Sequence, residues 1–305
     1  MLLFRPKPYS DECPVSYLIR VAEGNGFNNF GHLLHHSKVA INSMESVGQH
    51  ILTGHVELSG LFSSLKLDYK VCRSTEIYRN FREGIDSSFV FVAHPRVCPQ
   101  CINDHGYCKS IWSFYPVIAC NQHKTLLADT VAPHTKRLSW QRAGLNPFHR
   151  ISFQPHKASK EALDFNQYIS SLILNKVQVD TLPNILEHLG FREALTLIHL
   201  LAHFQARLNN NYFKPRNMDV QTLVSRYLDV WKAIHDWPDS FYRLMDNYVG
   251  HADDMVLARH FRSILDHLEH HQQNQGIARI KDEFLRYIEV YRRELKSHFD
   301  AEPTV

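Results

Sequence analysis

Apolar residues recur at helical spacing over most of this chain, and the spacing predicts where the helices lie. Residues 14–23 place Tyr17, Leu18 and Val21 on one face, with Pro14 suited to a first turn and Ser10 and Asp11 as caps. Gly24 and Gly26 end that helix. Residues 28–85 hold short apolar-periodic pieces, at 30–34, 47–52, 58–65 and 77–81. They predict a bundle of short helices with room for a helix-turn-helix. Residues 88–93 and 111–117 are rich in aromatic and β-branched residues, and both read as strands. From about residue 160 the pattern is helical again, at 160–175, 183–210, 218–235, 239–249, 253–273 and 277–299. Leu182, Ile185, Leu186 and Leu189 form one core stripe, and Leu195, Ile198 and Leu201 a second. Asp180 and Thr181 before Pro183 mark a helix start, and Gly190 predicts a break between the stripes. Trp237 precedes Pro238, which disfavours helix at the residue before it, so Trp237 should end one helix and plug the core.

The predicted fold is mainly α: a small N-terminal helical domain (1–87), a zinc ribbon (88–131), a linker rich in Pro, His and basic residues (132–158) and a C-terminal helical bundle (159–305).

Composition narrows the function. The 305 residues are 44% hydrophobic, enough for sizeable cores, yet no apolar run approaches membrane-span length. The first six residues lack the architecture of a signal peptide. Six cysteines, three of them matched to metal-ligand spacing, favour a reducing, cytoplasmic setting over a disulfide scaffold. Residues 1–150 carry 16 Lys+Arg against 11 Asp+Glu, a balance of +5, and the remainder carries 18 against 20, or −2. A mildly basic N-terminal half permits direct DNA contact without establishing it.

The chemistry concentrates in Cys98, Cys101, Cys120 and His123. They read C-P-Q-C, an eighteen-residue gap, then C-N-Q-H. Two x2-spaced pairs brought together by an intervening hairpin would place three thiolates and an imidazole around one structural Zn2+. Four protein ligands leave no position for a reacting water, so no catalytic residues are expected. Cys108 is the one substitute ligand within the gap, while Cys13 and Cys72 read as buried bystanders. His32, His35, His36 and His267, His270, His271 form two further groups, read as solvated helix faces.

Two rival readings have a basis in the sequence. His55-Val56-Glu57 followed by the Cys98/Cys101 pair is reminiscent of zinc deaminases. Val97 stands where that signature has Pro, and Cys120 and His123 would have no role. A free-standing zinc-ribbon DNA-binding regulator is the alternative function.

Beyond these chemical readings, three segments carry a family resemblance. The ribbon, through Arg96, Cys98, Pro99, Cys101, Gly106-Tyr107, Trp112, Cys120, His123 and Leu126-Leu127, resembles that of the TniQ family, target-selection proteins of heteromeric-transposase elements. The stretch Arg5 to Glu12, followed by Ser16 to Arg20, is similar to that family's opening, and Trp237-Pro238-Asp239-Ser240-Phe241 resembles its W-P-x-S-F element. The opening looks nearest to members associated with type I-F CRISPR systems. The resemblance implies a non-enzymatic homodimeric adaptor that docks on the guide-RNA-bearing Cascade complex and recruits the AAA+ regulator TnsC. Many relatives carry a further set of cysteine pairs. No cysteine follows Cys120 here, so a second ribbon would have to be metal-free or absent.

Overall fold

The computed structural model describes residues 2–27, 30–37, 51–52, 58–68, 94–129, 155–174, 185–186, 189, 191–208, 215, 218–249, 258, 261–262, 265–266, 268–269 and 275–300. The strand expected at 88–93 and most of the region expected to hold a helix-turn-helix lie outside these residues. The chain is mainly helical and divides into two compact units, Met1–Val179 with Lys214–Ser225, and Asp180–Phe213 with Arg226–Val305.

In the first unit, helix α1 (Pro14–Gly24) buries Val15, Tyr17, Leu18, Ile19, Val21 and Ala22. A helix apolar on nearly every side belongs inside a core. Helices α2 (Phe30–His36) and α3 (Leu58–Ser64) follow, and α1 packs on α2. The Tyr17 ring stacks on Phe62 of α3 with centroids 5.7 Å apart. The expected caps are not Ser10 and Asp11. Cys13 occupies the N-cap and supplies no side-chain bond. Asp11 instead serves tertiary structure, accepting from the Tyr107 hydroxyl at 2.6 Å and pairing with Lys109 at 3.1 Å.

Residues 11–13 run antiparallel to 108–110. Cys13 N–H donates to the Cys108 carbonyl at 2.8 Å and Ser110 N–H to the Asp11 carbonyl at 2.7 Å. Cys108 N–H reaches Ser16 Oγ at 3.0 Å. These bonds fasten the N-terminal helices to the segment between the two ligand pairs, which is helix α4 (Pro99–His105) followed by a 3₁₀ turn (Ser110–Ser113) rather than a hairpin.

The strand expected at 111–117 is therefore absent, and Arg96 supplies the reason. Its buried guanidinium donates to the carbonyls of Tyr115 (3.1 Å), Trp112 (3.3 Å) and Phe114. Carbonyls that a strand would offer to a neighbour converge on one cation instead. Trp112, Phe114 and Tyr115 are all buried, so the aromatic pattern reports a core turn rather than a two-faced strand.

Strands β1 (Ala119–Cys120) and β2 (Thr125–Leu126) pair antiparallel. On the side of β2 away from β1, residues 156–158 join through Leu126 N–H to the His156 carbonyl (2.8 Å), and Val97 and Ala128 exchange both backbone bonds just beyond. The end of the stretch read as linker thus belongs to the sheet. Helix α5 (Lys160–Ile173) packs on β1 and is capped by Ser159 Oγ, which accepts from Ala162 N–H at 3.1 Å.

The second unit holds α6 (Phe191–Leu208), α8 (Asp239–Val249) and α9 (Gln275–Asp300), together with most of α7 (Val220–His235), whose first residues belong to the first unit. Ile185 and Leu186 form a turn where a helix starting at Pro183 is expected, so the first stripe does not begin a helix there; α6 starts at Phe191, just past the expected break at Gly190. Helix α6 packs on α9. Between α8 and α9, the Tyr287 hydroxyl donates to Asp246 at 2.8 Å and the Tyr242 hydroxyl donates to Glu283. Trp237 lies between α7 and α8 but does not plug the core. It is half-buried and covers the fully buried Phe241, with ring centroids 4.7 Å apart.

Glu12 is the one fully buried carboxylate of the first unit that carries an ion pair among the described residues. It meets Arg20 Nε at 3.0 Å and accepts from Tyr9 N–H at 3.1 Å. Burial pushes its carboxyl from an ordinary 4.5 up to about 7, against the pull of Arg20. A folded-state value above the unfolded one means that stability is fully present below about pH 4.5 and falls as pH rises towards 7. In Glu12→Gln that slope should vanish, so the variant's stability relative to the parent should rise with pH across this window in denaturant titrations. For Arg96, a lysine is a point charge that cannot span three carbonyls. Arg96→Lys should therefore cost about 2–4 kcal/mol by the same assay, since buried carbonyls lose their donors.

Candidate metal centre

Each ligand pair is built on a different local device. Cys98 is the N-cap of α4, and Pro99 fixes the first helical turn behind it. Cys101 lies in that turn, so the x2 spacing here is a helix start and not a strand turn. Gly106, at a φ of 70°, ends the helix in the left-handed region that a glycine adopts at no steric cost. Cys120 closes β1, and the turn 121–124 returns the chain to β2. Lys124 takes a φ of 54° there, and its N–H donates to the Cys120 carbonyl at 2.8 Å.

The structure brings all four residues named from the sequence together. Their ligand atoms lie within 4.8 Å of one another, and together they could hold a metal ion. His123 turns Nδ1 inward, 3.4 Å from Cys98 Sγ, 3.2 Å from Cys101 Sγ and 3.8 Å from Cys120 Sγ. Cys101 and Cys120 sulfurs are 3.7 Å apart. The three cysteines are buried and His123 is half-buried. Cys108 is not part of the cluster. It is buried beneath α1 opposite Cys13, and burial pushes its thiol well up. Among the described residues no other group of three or more candidate ligands occurs. His32 and His35 are exposed on α2. His55, Glu57, Cys72, His267, His270 and His271 lie outside the described residues.

Three supporting residues escaped the sequence reading. Thr125 Oγ1 sits 3.5 Å from Cys98 Sγ. Asp104 Oδ2 lies 3.5 Å from His123 Nε2, on the side away from the thiols. A carboxylate there orients the ring and raises its basicity as a ligand. Asn166 on α5 is buried. Its Oδ1 accepts from Ile118 N–H (2.9 Å) and Ala119 N–H (3.0 Å), and its Nδ2 donates to Asn121 (2.8 Å). Asn166 thus fixes the backbone just before Cys120 and the Asn121 side chain just after it. A polar residue on the apolar face of an amphipathic helix was the available signal for it. Asp104, three residues beyond Cys101, would have been visible had 99–105 been read as a helix.

Protonation shows what the cluster lacks by itself. Thiol hydrogens from Cys101 and Cys120 hold Cys98 well below an ordinary thiol, whereas Cys120 and Cys98, with burial, hold Cys101 well above one. Three thiolates this close repel, so the fully deprotonated set needs a cation at its centre. Metal binding must then displace protons and weaken in acid. The purified chain is expected to carry one tightly held metal ion by elemental analysis. A chelator should strip it faster at pH 5 than at pH 7.5, and Cys98→Ser with Cys120→Ser should abolish retention. Full metal content in that double variant would refute the ligand set.

No curated protein matches the chain. The family model that matches is TniQ, over residues 3–127, a span from the N-terminal arm through α1 to α4 and the metal cluster to β2. Residues 3–127 thus match the TniQ domain, a family of transposition proteins.

Proposed function

We propose that this chain is a non-enzymatic adaptor of RNA-guided DNA transposition, docking on a Cascade complex of type I-F character and recruiting the AAA+ regulator TnsC. The TniQ match over residues 3–127 carries the reading, because it ties the chain to transposition. The site's geometry supports the non-enzymatic part. Four protein donors complete a tetrahedron, which suits holding a fold together rather than activating water.

The metal is zinc. Around tetrahedral zinc, with Zn–S near 2.3 Å and Zn–N near 2.0–2.1 Å, donor atoms stand roughly 3.5–3.8 Å apart. The separations of 3.2–3.8 Å between His123 Nδ1 and the sulfurs, and of 3.7 Å between Cys101 and Cys120, fit that cage. Three sulfurs and an imidazole also suit zinc better than hard, oxygen-seeking cations. The zinc holds α4 against the β1–β2 turn; the chain's own residues supply the docking surfaces. The chain works in the cytoplasm as a homodimer, and the DNA is found by the guide complex.

Guided insertion in a reconstituted transposition assay should be lost when this chain is omitted, and pull-down should retain Cascade and TnsC. Equal insertion without it, together with retention of neither partner, would overturn the adaptor reading. Sequence-specific duplex binding by the isolated chain in that case would point to a DNA-binding regulator.

A further inference from the structure

The N-terminal arm, residues 3–9, is extended and lies against α1. It concentrates exposed apolar surface. Of the six large hydrophobic side chains exposed among the described residues, three fall here: Leu3 at 96%, Phe4 at 50% and Tyr9 at 47%. An exposed leucine alone means little. What distinguishes this arm is how firmly it is held.

Asn25, at the C-cap of α1, uses its whole amide on the arm and the helix end. Its Oδ1 accepts from Leu3 N–H (2.7 Å) and Phe4 N–H (2.9 Å), and its Nδ2 donates to the carbonyls of Phe4 (2.7 Å) and Val21 (2.7 Å). Further along, the Tyr17 hydroxyl donates to the Pro6 carbonyl (2.8 Å) and Arg20 to the Lys7 carbonyl (2.9 Å). Tyr9 stacks on Tyr107 at 4.3 Å and carries the Arg20 guanidinium over its other side at 4.6 Å. Gly24 makes room for the Phe4 ring, since a Cβ there would stand 2.0 Å from Phe4 Cδ1. The arm is thus fixed at residues 3, 4, 6, 7 and 9.

Leu2 and Pro8 are buried, Pro6 is half-buried and the half-exposed Phe4 ring lies against Gly24, while Leu3, Arg5, Lys7 and Tyr9 face solvent. The outward row therefore reads apolar, cation, cation, aromatic. Neither Arg5 nor Lys7 has a carboxylate partner among the described residues. Pro6 and Pro8 carry no N–H, which discourages pairing by another strand and leaves recognition to side chains. Rigid anchors that lose little entropy on binding are where interface energy concentrates.

We propose that this outward row is a docking site for an acidic, apolar protein surface: a carboxylate patch facing Arg5 and Lys7, flanked by apolar pockets for Leu3 and Tyr9. At about 3.3 Å per extended residue, the two cations stand about 7 Å apart and the two anchors about 20 Å apart. The inference rests on the adaptor reading for the identity of the partner, and it assigns that partner's chemistry.

The test uses the full-length protein, with Cascade bearing its guide RNA and TnsC as separate immobilised probes in binding kinetics. Leu3→Ser with Lys7→Glu touches only exposed side chains, and it should leave the melting temperature and metal content unchanged. It should weaken binding to one of the two probes at least tenfold, and raised salt should weaken the parent. Lys160→Glu, an exposed change at the start of α5, should bind like the parent. Asn25→Ala, which frees the arm without removing any outward side chain, should also weaken that same probe. If the parent binds and the Leu3/Lys7 variant binds equally well, the docking assignment is overturned while the adaptor reading stands. If the parent binds neither probe, both fall.

Discussion

The first unit depends on one constraint: a helix start and a β-turn, eighteen residues apart in sequence, must be held within a few ångströms of each other. Cys98 and Cys101 sit at the head of α4, and Cys120 and His123 sit on the β1–β2 turn. The intervening segment can then be irregular and still be fixed, because both of its ends are tethered. Its backbone is satisfied by Arg96, which stands just before the first ligand pair, by Ser16 of α1 and by the Asp11 carbonyl ahead of α1. The metal cluster, the buried guanidinium and the short antiparallel contact at 11–13 form one connected support for α1.

That support also explains the polar groups in the core. Arg96, Glu12 and Asn166 are all buried, and burying such groups is unfavourable unless they are bonded. Each is placed where backbone leaves regular structure: Arg96 at the 112–115 turn, Glu12 beside the start of α1, and Asn166 next to Cys120. They replace the hydrogen bonds that helices or sheets would otherwise supply. The buried Glu12–Arg20 pair has a second effect, since Arg20 also covers Tyr9 and so links the core to the exposed arm.

Long periodic segments were legible in the sequence. α1, α5, α7, α8 and α9 fall close to the expected spans because an apolar stripe at helical spacing has one good way to be buried. The metal cluster was legible from two x2 spacings. The path between the ligand pairs was not. At 111–117, the aromatic run that normally marks a strand came from a turn wrapped around a cation, and a contact between residues nineteen apart has no local signature. Asn166 and Asp104 were missed for a related reason: their roles depend on which face of a helix meets the cluster, which spacing alone leaves open. Trp237 was placed correctly between helices but covers Phe241 rather than filling the core.

The central claim is that a closed, four-donor zinc site joins the two halves of the metal module. Zinc-edge X-ray absorption on the purified chain tests it most directly. The account predicts about three sulfur scatterers near 2.3 Å and one nitrogen near 2.0–2.1 Å, with no oxygen shell. A resolved zinc–oxygen distance with fewer than three sulfurs would mean an open coordination position, and would contradict both the closed site and the non-catalytic role built on it.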